Sequence, residues 1–268
     1  MALSPDIITD TARRLHAAEQ SRTRIGQISR ANPGMTMADG YAIQQAWLDI
    51  KLGEGRKIIG RKIGLTSRAM QVNSQINEPD YGALLDDMAF PDGTPIPTSR
   101  FINPLIEVEL AFVLSRPLKG PNVTIFDVLA ATAYVAPALE IIDLRVEPVD
   151  PETKAQMKAL DTISDNAACA GFIVGGRPVR PGDIDLRWVG AILSRNGVVE
   201  ETGLAAGVLN HPAAGIAWLA NKLGAHGTAL EPDQVIMCGS FTRPIFAKAG
   251  DVFHADYGPL GSFSAVFS

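Results

Sequence analysis

The sequence predicts an α+β protein, with a mixed, mainly antiparallel β core preceded by an N-terminal helical region. Three observations carry that expectation. Apolar residues recur at helical spacing over the first ~55 positions. From residue 57 the period changes to that of strands. Most strand candidates also lie too close together for the long crossovers that a parallel sheet requires. Residues 1–56 are therefore assigned to the helical region and 57–268 to the β-rich core, the two forming one integrated domain.

The elements follow in order. Ser4-Pro5-Asp6 starts a helix: a hydroxyl cap, a proline whose missing N–H costs nothing there, and an acid favoured by the dipole. Ile7, Ile8, Ala12 and Leu15 continue it. Thr36 with Asp39 resembles a capping box, and Tyr41, Ile43, Ala46, Trp47 and Ile50 mark one face of a second helix ending near Gly53 or Gly55. Lys57–Leu65 reads as a strand and Thr66–Val72 as a helical turn. Ile106–Leu114 alternates, with Ile106, Val108, Leu110, Phe112 and Leu114 on one face. Further strand candidates are Tyr134–Leu144, Cys169–Val174, Leu186–Ser194, Val235–Gly239 and Phe263–Phe267. Asn196-Gly197 signals a hairpin, because both residues tolerate positive φ. A helix near Pro212–Leu223 interrupts the run.

Composition excludes several classes of function. The 268 residues are 46% hydrophobic and 20% charged, which is ordinary for a packed chain and remote from disorder. The 25 glycines and 18 prolines suit a turn-rich fold rather than a helical bundle. A formal charge of −5 offers no basic field for nucleic acid. Cys169 and Cys238 have no CxxC partner, so a disulfide scaffold or zinc site is not expected, and a reducing compartment fits. No apolar run approaches membrane-spanning length, and the first residues read as a helix cap rather than a signal peptide. A soluble, cytoplasmic protein without membrane association is expected. GxGxxG and GxxxxGK[ST] are both absent from the sequence, as is GxSxG at Gly239-Ser240-Phe241-Thr242.

The most informative feature is Glu107-Val108-Glu109 within an apolar strand. Period two puts both carboxylates on one face, with Cβ atoms roughly 6.5–7 Å apart. Like charges so placed repel unless a cation or bases neutralise them. Glu140 lies in a second apolar strand, and three convergent carboxylates suit a hard divalent cation such as Mg²⁺. The same pattern also fits the solvent face of an amphipathic strand. Lys62, set between glycines in Gly60–Leu65, is either a partly buried acid–base group or a surface lysine. Asp80-Tyr81-Gly82, after Glu78-Pro79, reads as a turn whose acid serves catalysis or caps the turn. Ser240 and Thr242 would form a carboxylate-binding corner or a plain strand exit. The four histidines (16, 211, 226 and 254) lack metal-ligand spacing and read as structural.

Taken together, GRKIGLTSRAMQ (60–71), EPDYGALLDDM (78–88), IEVELAFVL (106–114), DTISDNAA (161–168), NGVVEETGLAAGVLNHPA (196–213) and GSFTRP (239–244) resemble the fumarylacetoacetate hydrolase superfamily, in its hydratase/decarboxylase branch. That resemblance implies a mixed β-roll core and a Mg²⁺ or Mn²⁺ site at Glu107, Glu109 and Glu140. It implies acid–base roles for Lys62 and Asp80, with Tyr81, Ser164, Ser240 and Thr242 lining the substrate pocket. The activity it implies is hydration of a small 2-oxo dicarboxylate, 2-oxohept-4-ene-1,7-dioate, to 4-hydroxy-2-oxoheptanedioate in the catabolism of aromatics such as 4-hydroxyphenylacetate. Arg68 and Arg243 are the candidates for the distal carboxylate. The alternatives are a 4-oxalocrotonate-type decarboxylase, a 2-hydroxypentadienoate hydratase, or a non-catalytic partner subunit. Carbon–carbon hydrolases of the superfamily use a His/Glu pair on a lid helix, which finds no counterpart in this sequence. A homo-oligomer, pentamer or decamer, is implied, and association with the pathway decarboxylase is allowed.

Overall fold

The computed structural model describes residues 2–74 and 76–268. Helix α1 spans Pro5–Ser21, with the Ser4 hydroxyl accepting from the Ile7 N–H. A short α2 (Ile28–Ala31) leads to α3 (Met37–Gly53). Thr36 and Asp39 close a reciprocal capping box at the start of α3, satisfying two otherwise orphaned N–H groups. Then follow β1 (Ile58–Gly64), α4 (Arg68–Asn73), β2 (Asp80–Leu85), β3 (Leu105–Leu114), α5 (Ile125–Ala131) and β4 (Thr132–Ile142). The chain continues through α6 (Ala159–Ser164), β5 (Cys169–Val174), β6 (Gly190–Arg195), β7 (Val198–Leu204) and α7 (Pro212–Gly224). It ends with β8 (Val235–Met237), β9 (Ile245–Phe246), β10 (Val252–Asp256) and β11 (Ser262–Val266).

The larger sheet runs β2-β1-β8-β3-β4-β5, with β9 attached to β3; the smaller runs β11-β10-β6-β7. Among the described residues, the named strands pair antiparallel except β1 with β8, so the sheets are mixed but mainly antiparallel. Asn196 and Gly197 both take positive φ at the β6–β7 turn.

Strand β3 shows how the layers form. Ile106, Val108, Leu110, Phe112 and Leu114 face a core shared with Leu193, Phe253 and Phe263 of the smaller sheet and Ile216 and Leu219 of α7. Ala111 belongs to a second apolar cluster on the opposite face. There Ala138 and Met237 meet Ala12, Leu15, Ile43, Trp47 and Leu48 of α1 and α3. The N-terminal helices therefore cover the sheet face that carries Glu107 and Glu109.

Three local readings change. Asp80-Tyr81-Gly82 is the beginning of β2, not a turn; cross-strand pairing of Gly64 with Asp80 and Lys62 with Gly82 overrides the turn propensity of Asp and Gly. The strand expected from Leu186 begins at Gly190, because Asp185 caps a short 3₁₀ turn over Leu186–Trp188. Val252–Asp256 is a strand whose Phe253 and Ala255 alone point inward, too short an alternation to stand out. Among the described residues, no helix is long and apolar enough to cross a membrane.

Candidate metal and substrate site

Glu107 and Glu140 are direct cross-strand partners in the β3–β4 pair, and Glu109 sits two residues further along the same face. One ligand oxygen from each of the three lies within 4.8 Å of the others. Glu109 and Glu140 are buried, while Glu107 is partly exposed. Lys62, itself buried, places Nζ 3.1 Å from Glu140 Oε1. Behind the strands, the buried Tyr257 hydroxyl lies 3.0 Å from Glu109 O and 2.5 Å from Ala138 O, tying β3 to β4 beside the acids.

Asp80 completes the group from β2. Its Cα partner, Gly64, leaves the space its carboxyl occupies: a Cβ there would fall 2.2 Å from Asp80 Oδ1 and 3.3 Å from Lys62 Nζ. The far side of β2 is held by Asn166, whose side chain accepts from Ala83 N at 2.8 Å and donates to Ala83 O at 3.0 Å. Asn166, Ala167 and Ala168 all have φ between 50° and 60°, a left-handed turn costing roughly 1–2 kcal/mol per residue. Arg145 anchors it through ion-pair and hydrogen-bond contacts to Asp165.

The electrostatics show an excess of buried negative charge. Burial, reinforced by Glu140 and Asp80, pushes the Glu107 carboxyl up to about 8. Burial and then Glu140 drive Glu109 well above the carboxylate range, against a hydrogen bond from the Gly239 N–H at 2.9 Å. Asp80 is raised too, by burial before the opposing pull of Lys62. Burial lowers the Lys62 ammonium, but Glu140, Asp80 and Glu109 more than offset that, so the net shift is upward and the charge is retained. Four carboxylates thus face one ammonium among the described residues. Glu109 Oε1, Glu140 Oε2 and both Asp80 oxygens are buried without a hydrogen-bond partner, and Glu140 Oε1 meets only the Lys62 ammonium. Buried charges require a partner, and an all-oxygen set of this kind fits a hard divalent cation.

The other expected site residues divide. Tyr81 follows Asp80 and stacks on Tyr41 of α3, with ring centroids 4.4 Å apart. Thr242 accepts from the Val108 N–H at 3.2 Å, so its loop walls the acidic strand. Ser240 is engaged within that loop, donating to Thr242 O and accepting from Thr242 N. The N–H of this corner that meets a carboxylate meets the protein's own Glu109. Ser164 is fully buried and donates to Leu160 O inside α6, so its hydroxyl is not presented to the acids. Arg68 is exposed at the start of α4, and Arg243 pairs with Glu201 at the surface; neither is buried with the carboxylates. His211 caps α7, its Nδ1 accepting from the Ala213 N–H. The sequence reading placed Gly64 beside Lys62 and Tyr41 on a helix face without expecting either to meet β2. A glycine beside a lysine in a strand was the available signal for the first, and a hydroxyl on an otherwise apolar helix face for the second.

Comparison with known proteins identifies relatives of the whole chain. The chain is 61% identical over 256 residues to the 2-oxo-hept-4-ene-1,7-dioate hydratase of Escherichia coli, covering 96% of each. It is 37% identical over 265 residues to the 4-oxalocrotonate decarboxylase of Pseudomonas sp. (strain CF600), covering 99% of this chain and 98% of that one. In structure it superposes on the 4-oxalocrotonate decarboxylase of Pseudomonas putida G7, complexed with magnesium and adipate, with a TM-score of 0.93, 36% identity and 99% of both chains covered. The family model for the fumarylacetoacetate (FAA) hydrolase C-terminal region matches residues 57–267, the whole span from the first strand to the last. On sequence and fold alike, the chain belongs to the fumarylacetoacetate hydrolase family.

Proposed function

We propose that this protein is a divalent-metal-dependent hydro-lyase that adds water to 2-oxohept-4-ene-1,7-dioate, giving 4-hydroxy-2-oxoheptanedioate. The observation that carries the reading is the convergence of Glu107, Glu109 and Glu140 beside Lys62, in a chain so close to a hydratase of that substrate. Glu107, Glu109 and Glu140 would hold Mg²⁺ or Mn²⁺, which when bound supplies a Lewis acid for the carboxylate and keto oxygens of a 2-oxo acid.

The chain's own residues account for the protons. The 2-hydroxydienoate form is first ketonised to a conjugated 2-oxo-3-ene: the 2-hydroxyl O–H bond breaks, a C5–H bond forms, and the proton passes through the Lys62–Asp80 pair. Water then adds at C4: an O–H bond breaks, a C4–O bond forms, and the C3=C4 electron pair moves toward the C2 oxygen. The proton lost from water goes to Asp80, and C3 is reprotonated from the Lys62–Asp80 pair. Lys62 is buried among acids and stays charged, so it enters the reaction as an ammonium that donates and does not accept. Asp80 suits the accepting role because burial raises its proton affinity.

A second reading, 4-oxalocrotonate-type decarboxylation, is favoured by the TM-score of 0.93 to that enzyme. It would use the same acids and release CO₂. Supplying each 2-oxo dicarboxylate with Mg²⁺ separates the two. A 4-hydroxy-2-oxo product without CO₂ is expected, and stoichiometric CO₂ without hydroxylated product overturns the assignment. The free buried thiols Cys169 and Cys238 support work in a reducing cytoplasm, and the 61% identity to a 2-oxo-hept-4-ene-1,7-dioate hydratase supports a place in breakdown of 4-hydroxyphenylacetate-type aromatics. Exposed Trp188, Ile192, Val198 and Val199 support a homo-oligomer, which light scattering would detect as a mass several times 28.5 kDa.

A further inference from the structure

The larger sheet ends at β2 on one side and at β5 on the other, and Asn166 joins the two edges. It lies in the turn that leads into β5. Its carboxamide pairs with the opposite edge: Oδ1 accepts from the Ala83 N–H at 2.8 Å, and Nδ2 donates to Ala83 O at 3.0 Å. A second carboxamide, that of Gln44 in α3, donates to Tyr81 O at 2.9 Å. An edge strand presents N–H and C=O groups that no further strand takes up; at Tyr81 and Ala83 these two amides supply the partners. Beyond β2 the seam continues, with the Phe90 N–H donating to Phe172 O of β5 at 2.9 Å.

The seam lies beside the acids. Across the β1–β2 ladder each functional side chain faces a glycine, Lys62 opposite Gly82 and Asp80 opposite Gly64. Period two puts Gly82 on the same face as Asp80. There the Asn166 carbonyl oxygen approaches so closely that a Cβ on Gly82 would fall 2.5 Å from it. The turn that carries this carbonyl is strained, with φ of 52°, 50° and 60° at Asn166, Ala167 and Ala168, and it is held on both sides. Asp165 pairs with buried Arg145, and Ala168 O accepts from the Asp143 N–H at 3.0 Å, next to the end of Glu140's strand β4. Strain of this kind persists only where the surrounding structure imposes it, and it gathers at functional sites.

We propose that Asn166, together with Gln44, is a positioning residue of the active site: the two amides clamp edge strand β2, and so fix where Asp80 stands relative to Lys62 and the three glutamates. The proposal rests on the hydration reading above, in which Asp80 takes the proton released as the C4–O bond forms. Glu107, Glu109 and Glu140 come from β3 and β4, which pair with each other from Leu105 to Leu114 and need no clamp. Asp80 comes from the strand that does. Loss of the clamp therefore disturbs proton transfer and leaves metal binding intact.

Asn166→Gly tests this, because glycine takes the positive φ without strain, so the turn is kept and only the carboxamide is lost. Hydration of 2-oxohept-4-ene-1,7-dioate at saturating Mg²⁺ is compared with Mg²⁺ affinity measured by calorimetry. The expected result is a fall in kcat of about tenfold or more, with KM and the Mg²⁺ dissociation constant within about twofold of the unsubstituted protein. A parallel loss of Mg²⁺ affinity and kcat overturns the proposal, by marking a general structural role. Should Asn166→Gly fail to fold, Gln44→Met, which keeps the side-chain length and removes the donor to Tyr81 O, decides by the same criteria. Unsubstituted protein that adds no water overturns the hydration reading itself, whereas full kcat in the variant of a protein that does add water overturns only the clamp.

Discussion

Glu107 stands directly across the β3–β4 ladder from Glu140, two acids on one sheet face where opposite charges would stabilise and like charges destabilise. Lys62 answers Glu140 and leaves Glu107 and Glu109 without an equivalent base. Without a cation this arrangement is a stability cost that binding a cation removes.

Glu107→Gln should therefore separate binding from stability. Removing one of three charged ligands should weaken Mg²⁺ affinity at least about tenfold and depress activity similarly. In chelator, the variant should unfold at the same temperature as the unsubstituted protein or a higher one, since a repulsion has gone. Calorimetric Mg²⁺ titration and thermal unfolding with chelator test both halves; full turnover at limiting Mg²⁺ would remove Glu107 from the site.

Metal removal should show the same coupling from the other side. Free Mg²⁺ at about a hundred times its dissociation constant should raise unfolding free energy by about 2.7 kcal/mol. Denaturant titration with and without chelator measures it, and coincident curves would deny a specific cation site.

Gly64→Ala addresses the space around Asp80. A Cβ would lie 2.2 Å from Asp80 Oδ1, so the carboxyl must move. Overpacking of this kind costs about 1–3 kcal/mol, and activity should fall about a hundredfold, as expected for a displaced catalytic group. Wild-type kcat in Gly64→Ala would show that the position of Asp80 is unimportant.

Arg145→Ala should be the most destabilising of these changes. Arg145 is buried, paired with Asp165, and lies 5.2 Å from the centre of the Trp47 ring. Leaving Asp165 charged and alone should cost about 3–5 kcal/mol, read by chemical denaturation. A loss below about 1 kcal/mol would show that the 165–168 turn does not depend on this ion pair.

Asp39 supplies a pH dependence remote from the site. Backbone hydrogen bonds from Leu3 and Thr36, then the Thr36 hydroxyl, hold its carboxyl below the usual carboxylate range. With the folded value depressed, its contribution is fully present above the unfolded value near pH 4 and is lost as pH falls through the folded value. Asp39→Asn should cost about 1 kcal/mol at pH 7, a difference that narrows below about pH 4. Urea unfolding at both pH values tests it; a pH-independent difference would assign the loss to packing.

What local chemistry governs was legible in the residues. Ser4-Pro5-Asp6 and Thr36–Asp39 start helices in the structure because capping needs only neighbours in the chain. Period two in β3 and the apolar run of β4 were enough to raise a triad of acids, because alternation assigns faces without any knowledge of the partner strand. Other features depend on residues distant in the chain. Asp80 enters a strand because β1 pairs with it, and Ser164 turns its hydroxyl back into its own helix. Gly239 lends its N–H to Glu109 because β8 ends beside β3. That α3 brings Tyr41 against Tyr81 was equally invisible, since helical spacing says which residues share a face but not what that face meets. The sequence by itself determined the helix starts, the period-two faces of β3 and the branch of chemistry; only the tertiary structure decided that Asp80 lies in a strand and which acids are buried together, because charge repulsion, desolvation and shared space arise between segments the chain brings into contact.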